Sequence, residues 1–446
     1  MQNFPDDFKW GAATAAYQIE GGVREDGRGE SIWDRFTHTP GVVSDGSNGD
    51  VACDHYHLWQ QDVGLMQTLG LNAHRFSIAW PRIFPDGRGT VNRRGLDFYS
   101  RLVDGLLTAG IEPAVTLYHW DLPQALEDRG GWVNRDTADY FTDYVNAVFT
   151  ALSDRVGMWI TLNEPWVVSM LGYGTGDHAP GLTDFGKAIR VSHVLNLAHA
   201  KAVRLFQSDF TETGRIGITL NLSPADPETD EDRDAALVAD GFMNRWFLDP
   251  PLRGSYPTDM TELYAGLGWD PGIQDGDMDL IAGATADFLG VNYYMRQLVR
   301  RSVSNKLGYE TAIPDDAQTT EMGWEVCPGG LHTLLTRVHE DYDAPVLYIT
   351  ENGAAFPDTE VLDDVVQDSD RIDYLNSHLS EAWRAIQDGV DLRGYYLWSL
   401  MDNFEWAYGF SKRFGIVRTD YDSLERTIKA SGVWYRDVIA RGGLEG

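Results

Sequence analysis

The chain has 446 residues, with 36 Lys and Arg against 68 Asp and Glu, a formal net charge of −32. A surface this acidic repels phosphate backbones and anionic headgroups, and the cations are scattered along the chain, which argues against nucleic-acid and membrane-surface partners. The length exceeds that of a typical single domain, yet α/β barrels with insertions run past roughly 400 residues as one unit.

The first eight residues carry neither a basic segment nor an apolar run of secretory type, so a cytoplasmic chain is expected. No apolar run approaches the roughly 18 to 20 residues of a membrane helix. Cys53 and Cys327 offer neither a disulfide framework nor a metal-ligand spacing, and are expected to be buried thiols in a reducing compartment. Nothing in the sequence bears on oligomeric state.

In chain order, short β-branched or apolar runs alternate with helical patterns, as in βα units around a parallel sheet. The runs are 8–13, 73–77, 113–118, 158–162, 215–220, 288–292, 346–350 and 394–398. After the first, Trp59, Val63 and Met66 recur on one helix face before Gly70, which is placed to end that helix. After the third, Tyr140, Phe141, Tyr144, Val145, Val148, Phe149 and Leu152 make one wide apolar face. The polar stretches 223–234 and 358–370 lack periodicity and read as surface loops. An open doubly wound sheet would alternate in the same way, but eight runs without a Gly-rich first turn favour closure. Residues 1–446 are therefore expected to form a single α/β domain, a (β/α)8 TIM barrel with extended loops.

Polar residues cluster at the ends of these runs: Arg75, His119-Trp120, Asn163-Glu164, Asn221, Asn292-Tyr293-Tyr294, Glu351-Asn352 and Trp398. In a parallel barrel all of these ends converge on one face, so one crowded polar pocket is implied. Glu164 and Glu351 end the fourth and seventh runs and can face one another over the barrel mouth. A facing carboxyl pair is what glycosidic bond cleavage needs, one group donating a proton while the other carries negative charge. Two carboxyls in one pocket cannot both ionise easily, so their pKa values separate. A salt-bridged Glu at one strand end is unremarkable; two in these positions are harder to explain structurally.

Several motifs make the sequence recognisable. They are the segments 8–22, 74–85 (HRFSIAWPRIFP), 117–123 (LYHWDLP), 172–181 (GYGTGDHAPG) and 399–406 (SLMDNFEW), together with both Glu motifs, TLNEP at 161–165 and ITENG at 349–353. The chain closely resembles the family 1 glycoside hydrolases, the β-glucosidase group, over essentially its whole length. The resemblance implies a retaining mechanism with Glu164 as general acid/base and Glu351 as nucleophile, their carboxyls about 5 to 5.5 Å apart. It places Arg75, Tyr294 and Asn292 in support of the nucleophile, where a cation and a phenol keep a carboxylate ionised. It further implies that Gln18, His119, Asn163, Glu405 and Trp406 hydrogen-bond a terminal sugar, with Trp398 stacked beneath it and Trp120 and Phe414 in the same binding site. Trp166, Leu171, Asn221 and Trp324 fall on the leaving-group side. No cofactor or metal is expected, and the expected ligand is a small β-glucoside.

Glu405 discriminates within the family, because relatives acting on 6-phosphorylated sugars carry a small neutral residue there beside a cationic pocket, and a carboxylate repels phosphate. Lys412 lies close in sequence, yet Phe414 stands where a phosphate site would want a Tyr. Departures from the common family pattern are Leu58-Trp59, His74 and Phe410, none of which removes a catalytic group. His74, beside Arg75, could alter the field on the nucleophile. Gly181 to Lys187 matches a phosphate-binding loop as far as the Lys, but Ala188 replaces the Mg²⁺-holding Ser or Thr and no strand precedes it. His55 and His57, two apart, would point to different helix faces and so do not pair as metal ligands. The competing reading from another class is a non-catalytic sugar-binding protein on the same scaffold, which would lose one carboxylate.

Overall fold

The computed structural model describes residues 2–211, 214–343, 345–363 and 365–445. Eight strands close into a barrel: β1 Lys9–Ala13, β2 Ala73–Ser77, β3 Glu112–Thr116, β4 Met158–Asn163, β5 Arg215–Asn221, β6 Phe288–Asn292, β7 Leu347–Asn352 and β8 Leu392–Trp398. Every neighbouring pair is parallel, and β6 pairs with β7 while β8 pairs with β1, so no sheet edge remains. All eight runs read from the sequence are barrel strands. The main differences are at the C-terminal ends: β7 extends through Glu351 and Asn352, while β3 stops at Thr116, so His119 and Trp120 follow it by a short turn.

Helices fill the crossovers. They include α1 His55–Thr68, α2 Arg93–Thr108, α3 Thr137–Leu152, α4 Phe185–Asp209, α5 Trp246–Arg253, α6 Pro328–Asp341, α7 Ser369–Gln387 and α8 Ala430–Arg441. The apolar stripe of α3 buries Phe141, Tyr144, Val145, Val148, Phe149 and Leu152, as its spacing predicts. Gly70 follows α1 at φ +70°, the left-handed conformation that ends a helix without a Cβ penalty. The barrel interior is packed: Tyr396 on β8 reaches across to the Met158 sulfur on β4 at 3.5 Å.

The two stretches expected to be surface loops are more structured than that. Ala225–Pro227 pairs with Gln297–Arg301, which pairs with Tyr309–Ala312, giving a small outer sheet. Val361–Leu362 and Val365–Val366 form a short antiparallel pair, and Asp358 and Asp368 beside it are buried in ion pairs. The P-loop-like segment is a capped helix start: the Asp184 carboxylate accepts from the Lys187 N–H where a phosphate would have to sit. Cys53 is buried, but Cys327 is only partly so. Among the described residues no helix is long and apolar enough to cross a membrane.

Candidate active site

The strand ends surround one cavity of about 720 Å³. Its wall includes Glu164 and Glu351 together with His119, Trp120, Asn292, Tyr294, Trp398, Glu405, Trp406 and Phe414. Trp166, Leu171, Asn221 and Trp324, expected on the leaving-group side, line it as well. Gln18, Arg75 and Asn163 do not; all three are buried immediately behind the wall, bonded to residues that form it.

Strands β4 and β7, which deliver the two carboxyls, both break register just before their ends, between Ile160 and Asn163 and between Ile349 and Glu351. Such irregularities re-aim side chains. Glu164, Trp120 and Trp406 all have positive φ, at 50°, 79° and 47°. For non-glycine residues this conformation is costly and persists only where the surroundings impose it.

Glu351 accepts hydrogen bonds on both carboxyl oxygens. Arg75 Nη1 donates to Oε1 at 2.6 Å, and the Tyr294 hydroxyl donates to Oε2 at 2.6 Å. Arg75 is itself fixed by bonds to the Thr350 carbonyl, Thr116 Oγ1 and Asn163 Oδ1. Burial and the neighbouring carboxylates raise the Tyr294 pKa well above its usual value, so the phenol keeps its proton and remains a donor. Asn292, paired in register with Glu351, donates to both Glu164 Oε1 and Asn163 Oδ1, linking the two sides of the site.

Glu164 is in the opposite situation. Burial, and next the Glu351 charge, push it up to about 8, against the opposing effects of Asn292 and Arg75. The raised value favours the protonated acid at neutral pH. Glu405 is also pushed up to about 8, by burial first and Glu351 second, while Gln18 Nε2 donates to it at 3.4 Å.

An aromatic wall flanks the carboxyls. The His119 ring stacks between Trp398 at 6.0 Å and Trp406 at 5.9 Å, and Trp120 lies 4.6 Å from Trp406. Burial, with Arg75 nearby, keeps His119 neutral, so its Nε2 accepts from Asn163 Nδ2 at 3.1 Å. His74 is buried and pushed down to about 3, its ring bonded to the Ala12 carbonyl. It stays neutral and places no charge beside Glu351.

The sequence profile of Glycosyl hydrolase family 1 matches residues 1–444. The chain belongs to glycosyl hydrolase family 1. Among its relatives is Beta-glucosidase A of Acetivibrio thermocellus, 51% identical over 99% of both chains. A bifunctional beta-D-glucosidase/beta-D-fucosidase of Bifidobacterium breve is 46% identical over 98% of each. A solved structure of the family 1 β-glucosidase from Thermotoga maritima superimposes with a TM-score of 0.97 at 48% identity, covering both chains completely.

Within this family 1 scaffold, the cavity also uses residues that the strand-end argument missed. Phe36 and Val42 come from the long connection after β1, and Met243, Met295 and Met322 from three separate segments. Apolar loop residues look like ordinary core in a sequence, so nothing marked them. His178 was within reach, since it sits inside the GDHAPG segment; it packs 5.4 Å from Trp120. Lys412 does not face the cavity: its ammonium donates to the Glu321 carbonyl at 2.8 Å. His55 pairs with Asp62, and no group of three or more His, Cys, Asp or Glu among the described residues is arranged to hold a metal ion.

Proposed function

We propose that the chain is a retaining β-glucosidase that releases terminal non-reducing β-D-glucosyl residues from cello-oligosaccharides and from aryl and alkyl β-glucosides. The observation that carries this reading is the unequal treatment of two carboxyls in one cavity. Arg75 and Tyr294 both donate to Glu351, while burial first and Glu351 second push Glu164 up to about 8. Glu351 attacks the anomeric carbon while Glu164 gives its proton to the departing oxygen. Glu164, now a carboxylate, then takes a proton from the water that displaces Glu351 and frees the sugar. The mechanism calls for carboxyls about 5 to 5.5 Å apart.

Trp398 offers its face to the pyranose ring, and Gln18, His119, Glu405 and Trp406 take its hydroxyls. Asn163 Nδ2, which donates to His119 Nε2, meets the 2-hydroxyl, a contact that strengthens in the transition state. Glu405 serves the far end of the sugar, near the 6-hydroxyl. With Glu405 pushed up to about 8, its charge alone does not exclude a 6-phosphate. Exclusion rests equally on missing cations, since no Lys or Arg is on the described cavity wall. Hydroxyl-by-hydroxyl recognition extends the activity to β-galactosides and β-fucosides, and an acceptor sugar in place of water gives transglycosylation.

One continuous core runs through the barrel and its helices, which supports residues 1–446 acting as one catalytic domain. The two free thiols suit a cytoplasmic setting. Both carboxyls in one cavity disfavour a mere binding protein. Glu351→Ala is expected to lower turnover of an aryl β-glucoside by roughly 10⁴-fold or more. Wild-type turnover in that variant, or hydrolysis of 6-phosphoglucosides alone by the native protein, contradicts the proposal.

A further inference from the structure

Below the loop that carries Glu405, Trp406 and Phe414, charged side chains are buried together. Lys429 is 0% exposed and donates to Asp402 at 2.7 Å and to Asp358. Arg371, 1% exposed, pairs with Asp358 at 2.9 Å and with Asp368. Asp402 also accepts from Arg413 Nη1 at 2.8 Å and from the Gly415 N–H at 3.0 Å. Three carboxylates thus meet three cations, and the cluster balances. Desolvating so many charges is costly, and a buried ion pair is often no more stabilising than apolar packing of the same volume. Stability is therefore a poor reason for its presence, whereas fixed position is a good one.

The bonds land at informative places. Asp402 opens the loop that carries the three sugar-site residues, and Arg413 and Gly415 close it. Asp402 joins the two ends through its bonds to Arg413 and Gly415, and Arg371 adds a bond to the Arg413 carbonyl at 2.7 Å. The same Arg371 donates to the Ala354 carbonyl at 3.4 Å, just beyond Glu351 on β7. Just past Glu351 the chain also lies against the end of β8, which leads into the loop: a Cβ at Gly353 would lie 1.7 Å from the Trp398 carbonyl oxygen. Between the loop ends, Asn403 accepts from Gln18 at 3.0 Å, and Gln18 also reaches Glu405.

We propose that the Asp358–Asp368–Arg371–Asp402–Arg413–Lys429 cluster is a positioning device for sugar selection: it locks the sugar-binding loop against the end of β7 and so sets where Glu405 stands relative to Glu351. This rests on the β-glucosidase reading of the cavity. Its consequence is specific. Loosening the cluster weakens discrimination at C6 of the glucosyl ring more than it weakens bond cleavage.

The test compares 4-nitrophenyl β-D-glucoside with its 6-deoxy analogue, which differs only in the hydroxyl assigned to Glu405. Asp402→Asn keeps the size of the side chain and removes its charge. The glucoside-to-6-deoxyglucoside ratio of kcat/KM is expected to fall about five- to tenfold, the worth of one well-placed hydrogen bond. The change should come mainly from KM of the glucoside, with the 6-deoxy substrate moving less. Arg413→Gln, at a side chain 26% exposed, is the milder variant and decides the matter if Asp402→Asn does not fold. It is expected to shift the ratio in the same direction by about two- to threefold. An unchanged ratio in a folded variant, or an equal loss on both substrates, overturns the positioning role alone. Failure of the wild type on both substrates overturns the β-glucosidase reading instead.

Discussion

The proton on Glu164 should set the alkaline limb of the pH profile. With the group at about 8, roughly 91% of it is protonated at pH 7 and roughly 9% at pH 9, so kcat/KM should fall about tenfold between them. Replacing Glu164 by Gln removes the donor while its amide oxygen can still accept from Asn292. The loss in kcat/KM should then depend on the leaving group. It should be about 10²- to 10⁴-fold for an alkyl glucoside, whose departing oxygen needs a proton. It should be far smaller for 2,4-dinitrophenyl β-glucoside, whose phenolate leaves unaided. The assay is kcat/KM across pH 6 to 10 for both substrates and both proteins, because that quantity reports the first chemical step even when release of the glucosyl-enzyme is slow. Glu405 is also pushed up to about 8, which makes the variant decisive. If the limb survives in Glu164→Gln, it belongs to Glu405, and the assignment of Glu164 as the acid is refuted. A flat wild-type profile on the alkyl glucoside, or equal losses on both leaving groups, refutes it as well.

Tyr294→Phe keeps the ring against Trp324 and removes one bond to a charged oxygen, worth about 1.5–3 kcal/mol; a fall in kcat/KM of about 10- to 100-fold is expected, and a change within twofold contradicts the role. Arg75→Met strips the buried Glu351 of its cation and should lower unfolding free energy by about 3–5 kcal/mol in denaturant titrations; unchanged stability contradicts the geometry. Glu164 also affects stability, because between about 4.5 and about 8 it binds a proton in the folded state but not in the unfolded one, so its contribution worsens as pH rises. Glu164→Gln should therefore raise Tm relative to wild type at pH 8 and change it little at pH 4; the reverse order contradicts the raised pKa.

The barrel was legible because burial on both faces turns each strand into a short apolar run, and eight such runs are hard to produce otherwise. The site was legible for a related reason: polar residues directly after those runs, such as Asn163-Glu164 and Glu351-Asn352, have nowhere to go but the barrel mouth. Burial of charge leaves no such mark. Asp358 and Asp368 look like any acidic loop: Arg371 is near in sequence, three residues from Asp368, but Lys429 meets Asp358 only in space, 71 residues away. Short added strands such as Ala225–Pro227 are equally silent, being held by a partner sheet and not by their own pattern. The methionines and Phe36 on the cavity wall read as core because that is what their chemistry is, and only the fold turns them towards the cavity.

Of the 68 acidic residues, most form a solvated coat, three (Glu164, Glu351 and Glu405) line the cavity, and three more form the buried cluster beneath it. The central claim is that Glu351 forms a covalent glucosyl intermediate, which inverts the anomeric carbon twice. Proton NMR of the first product released from an aryl β-glucoside, taken before mutarotation, tests this most directly. The account predicts β-glucose first, with the α-anomer growing in later; α-glucose as the first-formed product would contradict it.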